Sequence, residues 1–211
     1  MKSIYLIAAL SIAVPAAHGQ PPQKSAAECD ADNLGAYMNL SPKEFDQTVG
    51  EGWRVVGDKE GCERAGADLI AMYRDEKLAQ DIAQLDWHEA QLRAASGDTE
   101  KAINLFRRNL SFKRKLAVEI GHQADVLYAE ATIAYLERDR ALLQAKRDEL
   151  AATPKPEWYD ALAAEHSKRN AQAVAAMTWP SNLNVVDGFI ACFDRPYREA
   201  YSFACQPQTP Q

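Results

Sequence analysis

The sequence predicts an all-α chain in which antiparallel helical hairpins stack as a short, irregular solenoid. Apolar residues recur at three- and four-residue spacing in successive segments, Gly or Pro punctuates those segments, and no stretch sustains the period of two that marks a strand. The organising stretch is Trp87 to Leu110, WHEAQLRAASGDTEKAINLFRRNL. Trp87, Ala90, Ala94 and Ala95 form one helical stripe, and Ala102, Leu105, Phe106 and Leu110 form the next. Between them Gly97 suits the left-handed geometry that closes a helix, and Asp98 suits a cap that accepts an amide hydrogen bond. Ala90 and Ala102 lie twelve residues apart, one on each arm, where small side chains let two backbones approach. Ala129 with Ala141, and Gly188 with Ala200, repeat that interval.

Taken in order, residues 1–19 read as a signal peptide. Lys2 supplies a positive charge, Ile4 to Val14 form an apolar run, and Ala17 and Gly19 are the small residues a signal peptidase needs. The run falls short of the ~20 residues that span a bilayer, and Cys29 lies too far from it, behind Glu28, for lipid attachment. The mature chain then starts at Gln20, and the loss of Lys2 takes the formal charge from -6 to -7. An exported, mildly acidic chain is ill suited to nucleic acid, whose phosphates demand a basic footprint. Residues 20–28 are expected to be extended or disordered, 29–205 to form one domain, and 206–211 to be a flexible tail. No later segment is apolar enough to cross a membrane.

Within the domain, Ser41-Pro42-Lys43-Glu44 reads as a capped helix start, and Gly50, Gly52 and Gly57 break the chain around Trp53. The expectation there is a short helix and a loop packed on the hairpins. Helices follow at about 60–74, 77–95, 98–116, 120–136 and 138–152. Pro154 and Pro156 interrupt the pattern, a helix runs over about 157–176, and a terminal hairpin ends the chain.

Four cysteines, Cys29, Cys62, Cys192 and Cys205, suit two disulfides in an oxidising compartment and permit three pairings. Closeness in sequence favours Cys29 with Cys62 and Cys192 with Cys205, with free thiols as the alternative. Were both arms of the terminal hairpin full helices, Cys192 and Cys205 would sit on the order of 10 Å apart, beyond the ~7 Å limit for a bridge. The second pairing therefore requires the last helix to end early and the tail to curl back. Zinc is not expected, since no C-x-x-C spacing occurs.

The segment GDTEKAINLF resembles the turn and second helix of a tetratricopeptide repeat, with Ala90, Ala102 and Phe106 at its small and signature positions. It departs from the pattern in three ways. Trp87 sits one place late, Arg93 stands where Tyr or Leu is typical, and the later hairpins begin 39 and then 59 residues on instead of a regular ~34. The tail VVDGFIACFDRPYREAY resembles that of uncharacterised secreted bacterial proteins of this kind. The resemblance covers about 85 to 205 and implies a binding scaffold without specifying its ligand. In such repeats first-helix residues line a groove, and the matching positions are Gln84, Trp87, Gln91, Gln123, Glu130 and Asn182. Carboxamides beside an aromatic suit an extended peptide.

Residues that could carry chemistry are sparse. His88-Glu89 lacks the second histidine of a zinc protease helix, and His122 and His166 read as exposed or capping imidazoles. Asp139 between Arg138 and Arg140 reads as a turn. Neither a catalytic residue nor a cofactor or metal site is expected. Arg107, Arg108, Arg114 and Lys115 share one helix face opposite the apolar one, an ordinary solvated face or an anchor for an acidic partner. The chain accordingly reads as a periplasmic or secreted module that binds a peptide or protein partner. A structural subunit of an envelope assembly is the alternative, and a small hydrolase a more distant one.

Overall fold

The computed structural model describes residues 22–77, 82–120, 122–167 and 178–207, so the expected leader lies outside the described residues. Among the described residues the chain is helical, with no strand. The N-terminal unit comprises α1 (Leu34–Met38), α2 (Pro42–Gln47), α3 (Arg54–Gly57) and α4 (Glu63–Lys77). Two antiparallel hairpins follow, α5 (Ile82–Ala95) with α6 (Thr99–Ile120) and α7 (Gln123–Leu136) with α8 (Arg140–Ala151). After α9 (Glu157–Ser167), a terminal hairpin is formed by α10 (Leu183–Ala191) and α11 (Tyr197–Tyr201). No helix among these is long and apolar enough to cross a membrane.

Local chemistry explains the boundaries. Ser41 caps α2 in a full capping box with Glu44, and Pro42 occupies the first helical turn. Gly97, at φ 84°, closes α5. Its N–H donates to Ala94 O and that of Asp98 to Arg93 O, the paired bonds of a Schellman motif. The turn between α7 and α8 repeats this geometry 41 positions later, with Arg138 at φ 61° and Asp139 N–H donating to Ala134 O. Asp139 then caps α8 by accepting from Leu142 N–H at 2.9 Å.

That second turn corrects the register expected of the hairpin. Ala90 and Ala102 are fully buried and Ala129 is buried too, but Ala141 is exposed. Measured from the turn, the counterparts of Ala90 and Ala102 are Ala131 and Leu143, both fully buried. A shift of two residues rotates a side chain by about 200° on a helix, which carries Ala141 to the solvent side. In the terminal hairpin the expected pair does meet: a Cβ on Gly188 would stand 2.9 Å from Ala200 O.

Two cores share α5. Its Trp87, Ala90 and Ala94 join the larger core with α6, α7, α8, α10 and α11. Leu85 and Leu92 join the smaller one, with Phe45, Val56, Leu69, Ile70 and Tyr73. On the remaining buried face, Asp86 and Glu89 are 1% and 0% exposed. Arg74 of α4 bridges both, at 3.0 Å and 2.5 Å, Arg93 joins Glu89 to Asp68, and Arg108 of α6 pairs with Asp86. The departure at Arg93 from a tetratricopeptide pattern belongs to this network.

Helix α7 is buried nearly all round, as a helix apolar on every side should be. α6 and α8 flank it, and α10 packs on both α7 and α8 while α11 packs on α5. Tyr135 of α7 stacks on Phe189 at 4.7 Å and donates its hydroxyl to Arg195 O. The terminal hairpin therefore covers the first helices of both preceding hairpins. Both disulfides are the local ones, Cys29–Cys62 and Cys192–Cys205, with Cα separations of 5.7 Å and 5.9 Å. The second is reached because α11 stops at Tyr201 and the tail curls back to place Cys205 beside Cys192. Gln23 and Lys24 are held at the start of α4: Lys24 N–H donates to Gly61 O at 2.7 Å, and the Gln23 carboxamide bridges Glu63 and Arg64.

The corrected register predicts that Ala131→Leu destabilises the fold by about 1–3 kcal/mol through overpacking, whereas Ala141→Leu changes it by less than about 0.5 kcal/mol. Urea unfolding of the two variants separates these outcomes. Arg74→Met removes the cation that Asp86 and Glu89 share and leaves them Arg108 and Arg93, and the same measurement should show a loss of about 1–3 kcal/mol.

Candidate functional site

A cavity of about 510 Å³ opens where the terminal hairpin meets α9. The start of α10 supplies Asn182, Asn184 and Val185, the curled tail supplies Tyr201 and Phe203, and α9 supplies Tyr159. Asn182 adopts the left-handed conformation, φ 64°, immediately before α10, a geometry asparagine tolerates better than most residues. Tyr159 is nearly buried and donates its hydroxyl to Thr178 O at 3.1 Å, while Trp179 packs edge-on against its ring at 4.8 Å. Opposite them, Gln206 accepts from Asn184 Nδ2 at 2.6 Å and donates to Tyr201 O at 3.0 Å. No carboxylate, ammonium or guanidinium lines the cavity among the described residues.

Two of the sequence-predicted positions reach this place. Asn182 lines the cavity, and Gln91 donates its carboxamide to the hydroxyl of Tyr201 at 3.1 Å. Beneath that hydroxyl Tyr128 is fully buried, and burial pushes its phenol well above the ordinary value. Trp87 is 7% exposed and packs on Phe106 and Tyr128, so it is a core residue and offers no surface to a partner. Gln84 is exposed, with its carboxamide 3.2 Å from His88 Nε2. Gln123 and Glu130 line a separate cleft of about 370 Å³ with Arg114, Lys146 and Glu149. The six positions thus fall in separate places, because α10 and α11 cover the α5 and α7 surfaces that would have joined them.

The basic face is largely committed to the fold. Arg107 pairs with Glu137 just after α7, Arg114 with Glu130 at 2.8 Å, and Arg108 with Asp86, while Lys115 is exposed. Burial tends to raise the Glu130 carboxyl, and hydrogen bonds from Arg114 and Lys146 more than offset it, holding the group below its ordinary value. Lys113 lies over the Trp87 ring at 4.6 Å, and burial pulls its ammonium below the usual lysine value.

One histidine–carboxylate pair is buried between the N-terminal unit and α5. His88 Nδ1 lies 2.6 Å from Asp46 Oδ1, which also accepts from Trp53 Nε1 at 3.0 Å. His88 has its remaining bond to Gln84, so its contacts join two parts of the fold. For Asp46, burial works to raise the pKa, and the hydrogen bond and charge of His88, with donors from Trp53 and Gln47, bring it below the ordinary carboxylate value. His122 stacks on Trp158 at 4.8 Å, fastening α9 to the start of α7. Among the described residues no group of three His, Cys, Asp or Glu is placed to hold a metal ion.

The residues missed in the sequence are Tyr201, Phe203 and Asn184, whose positions follow from the curled tail. The spacing of Cys192 and Cys205 was the available signal. Compared with protein-family models, curated proteins and solved structures, the chain matches none.

A depressed Asp46 pKa stabilises the fold above the unfolded value of about 3.9, and that contribution is lost as pH falls through the folded value. Asp46→Asn should cost about 2 kcal/mol at pH 6 and progressively less below pH ~3.5. Denaturant unfolding of both proteins across pH 2.5–7 checks the convergence.

Proposed function

We propose that the chain is an exported, non-catalytic binding module of tetratricopeptide-like construction that recognises a peptide or an extended segment of a protein partner. The observation that carries the reading is the cavity of about 510 Å³, whose described walls present carboxamides, hydroxyls and aromatic rings and no charged side chain. Such a lining binds by shape and hydrogen bonding, within the size range of ordinary ligand sites. Two local disulfides and the leader-like first 19 residues support export to an oxidising compartment. The repeated Schellman turns of α5–α6 and α7–α8 support the repeat-like construction. The partner engages the edge formed by the tail and α10, since the first-helix surfaces are covered from within.

Selection of a random peptide display library on the oxidised protein tests this. Enriched sequences should lose at least about tenfold in affinity, roughly 1.4 kcal/mol, when Tyr201 and Phe203 are both replaced by alanine. Absence of enrichment, or enrichment indifferent to that double variant, overturns the reading.

A further inference from the structure

Resting on the binding-module reading, we propose that the cavity beside α10 takes an uncharged peptide segment that seats an apolar side chain against Val185 and Tyr159 and hands its backbone to Asn182 and Asn184. Charge is the first ground. Charged residues make up 26% of the chain, yet no charged side chain lines this cavity among the described residues. An aspartate or lysine entering it would shed water without meeting a counter-ion on the described walls, at a cost far above that for an alkyl side chain.

The polar groups are the second ground. The Asn182 carboxamide makes no hydrogen bond to a described residue, and it is only partly exposed. Asn184 spends its NH₂ on Gln206 and keeps its carbonyl oxygen. Together they offer a donor and two acceptors from adjacent places at the start of α10, the complement of a peptide N–H and C=O. A sugar's vicinal hydroxyl pairs are better held by carboxylates or guanidinium groups, which the described lining lacks, and the Val185 floor gives them nothing to bond.

Rigidity is the third. Gln91 fixes the Tyr201 hydroxyl, Gln206 joins Asn184 to the Tyr201 carbonyl, and Cys192–Cys205 closes the tail on α10. The walls are ordered before a ligand arrives, which lowers the entropy cost of binding.

The test titrates the full oxidised protein with blocked pentapeptides, acetyl-Gly-Ala-Xaa-Ala-Gly-amide with Xaa as Leu, Asp or Lys, and with maltotriose. Trp179, packed edge-on against Tyr159, provides the fluorescence readout. The Leu peptide should bind at least about tenfold more tightly than either charged one, with affinity unchanged between low and high salt. Asn182→Asp should weaken the Leu peptide by a similar factor, and the wild-type amide resonances it shifts should centre on 182–185 and 201–206. Equal or tighter binding of a charged peptide, binding of maltotriose alone, or shifts centred elsewhere overturns the proposal. If display yields charged peptides that still depend on Tyr201 and Phe203, the module reading survives and this ligand class falls; if no peptide binds in either experiment, both fall.

Discussion

Two carboxylates buried on one face of α5 fix how the first half of the molecule goes together. Asp86 and Glu89 are removed from water almost completely, and a buried charge is tolerable only when it is paired and hydrogen-bonded. Their cations come from both neighbours, Arg74 on α4 and Arg108 on α6, so neither helix can slide along α5 by a turn without stranding a charge. Apolar packing alone would tolerate such slippage more readily, because alanine-rich stripes look alike from one turn to the next. The network thus supplies register, and the two cores on either side of α5 supply most of the stabilising burial.

Once α5 is fixed, the remaining helices have little freedom. The Schellman turns at Gly97 and Arg138 return α6 and α8 antiparallel to their partners, which leaves α7 between α6 and α8 with one apolar side still open. The terminal hairpin closes that side with Phe189, Phe193 and Tyr197, and it also reaches the N-terminal unit through Arg198 and Glu63, at 2.5 Å. A face that could have been a groove becomes interior. The exposed relief moves to the margin, where the hairpin, its tail and α9 fail to fill the space between them.

The sequence revealed much of this frame. Helical periodicity, the capping box at Ser41, the turn at Gly97 and the break at Pro154 and Pro156 are local signals, and the corresponding elements lie within a few residues of their expected places. The local disulfide pairing was also legible, together with the condition it imposes on the last helix. What failed to show was tertiary. The residues 90 and 102 on one hairpin and 129 and 141 on the next share a spacing, but only the turn geometry at Arg138 tells which pair faces inward. Trp87 and Gln91 sit where a groove-lining reading is natural, and nothing local says that Phe106, Tyr128 and Lys113 will enclose the first or that Tyr201, over a hundred positions later, will meet the second. The arginine face looked solvated because its acids, Asp86, Glu130 and Glu137, lie on other helices.

The distribution of short helices explains where the disulfides and the cavity occur. The helices α5 to α8 run 14, 22, 14 and 12 residues and bury broad apolar faces, so they need no covalent help. At the two ends of the described fold, α1, α2, α3 and α11 have 5, 6, 4 and 5 residues, lengths at which an isolated helix is unstable in water. Each of these ends carries one disulfide, and closing a loop of this order removes roughly 3 kcal/mol of unfolded-chain entropy in the loop-closure description. At the C-terminal end the constraint also has a geometric product. By stopping α11 at Tyr201 and turning the chain back to Cys205, it sets Tyr201 and the exposed Phe203 across from Asn182 and Asn184. The same bond that compensates for a helix too short to hold itself thereby builds one wall of the cavity.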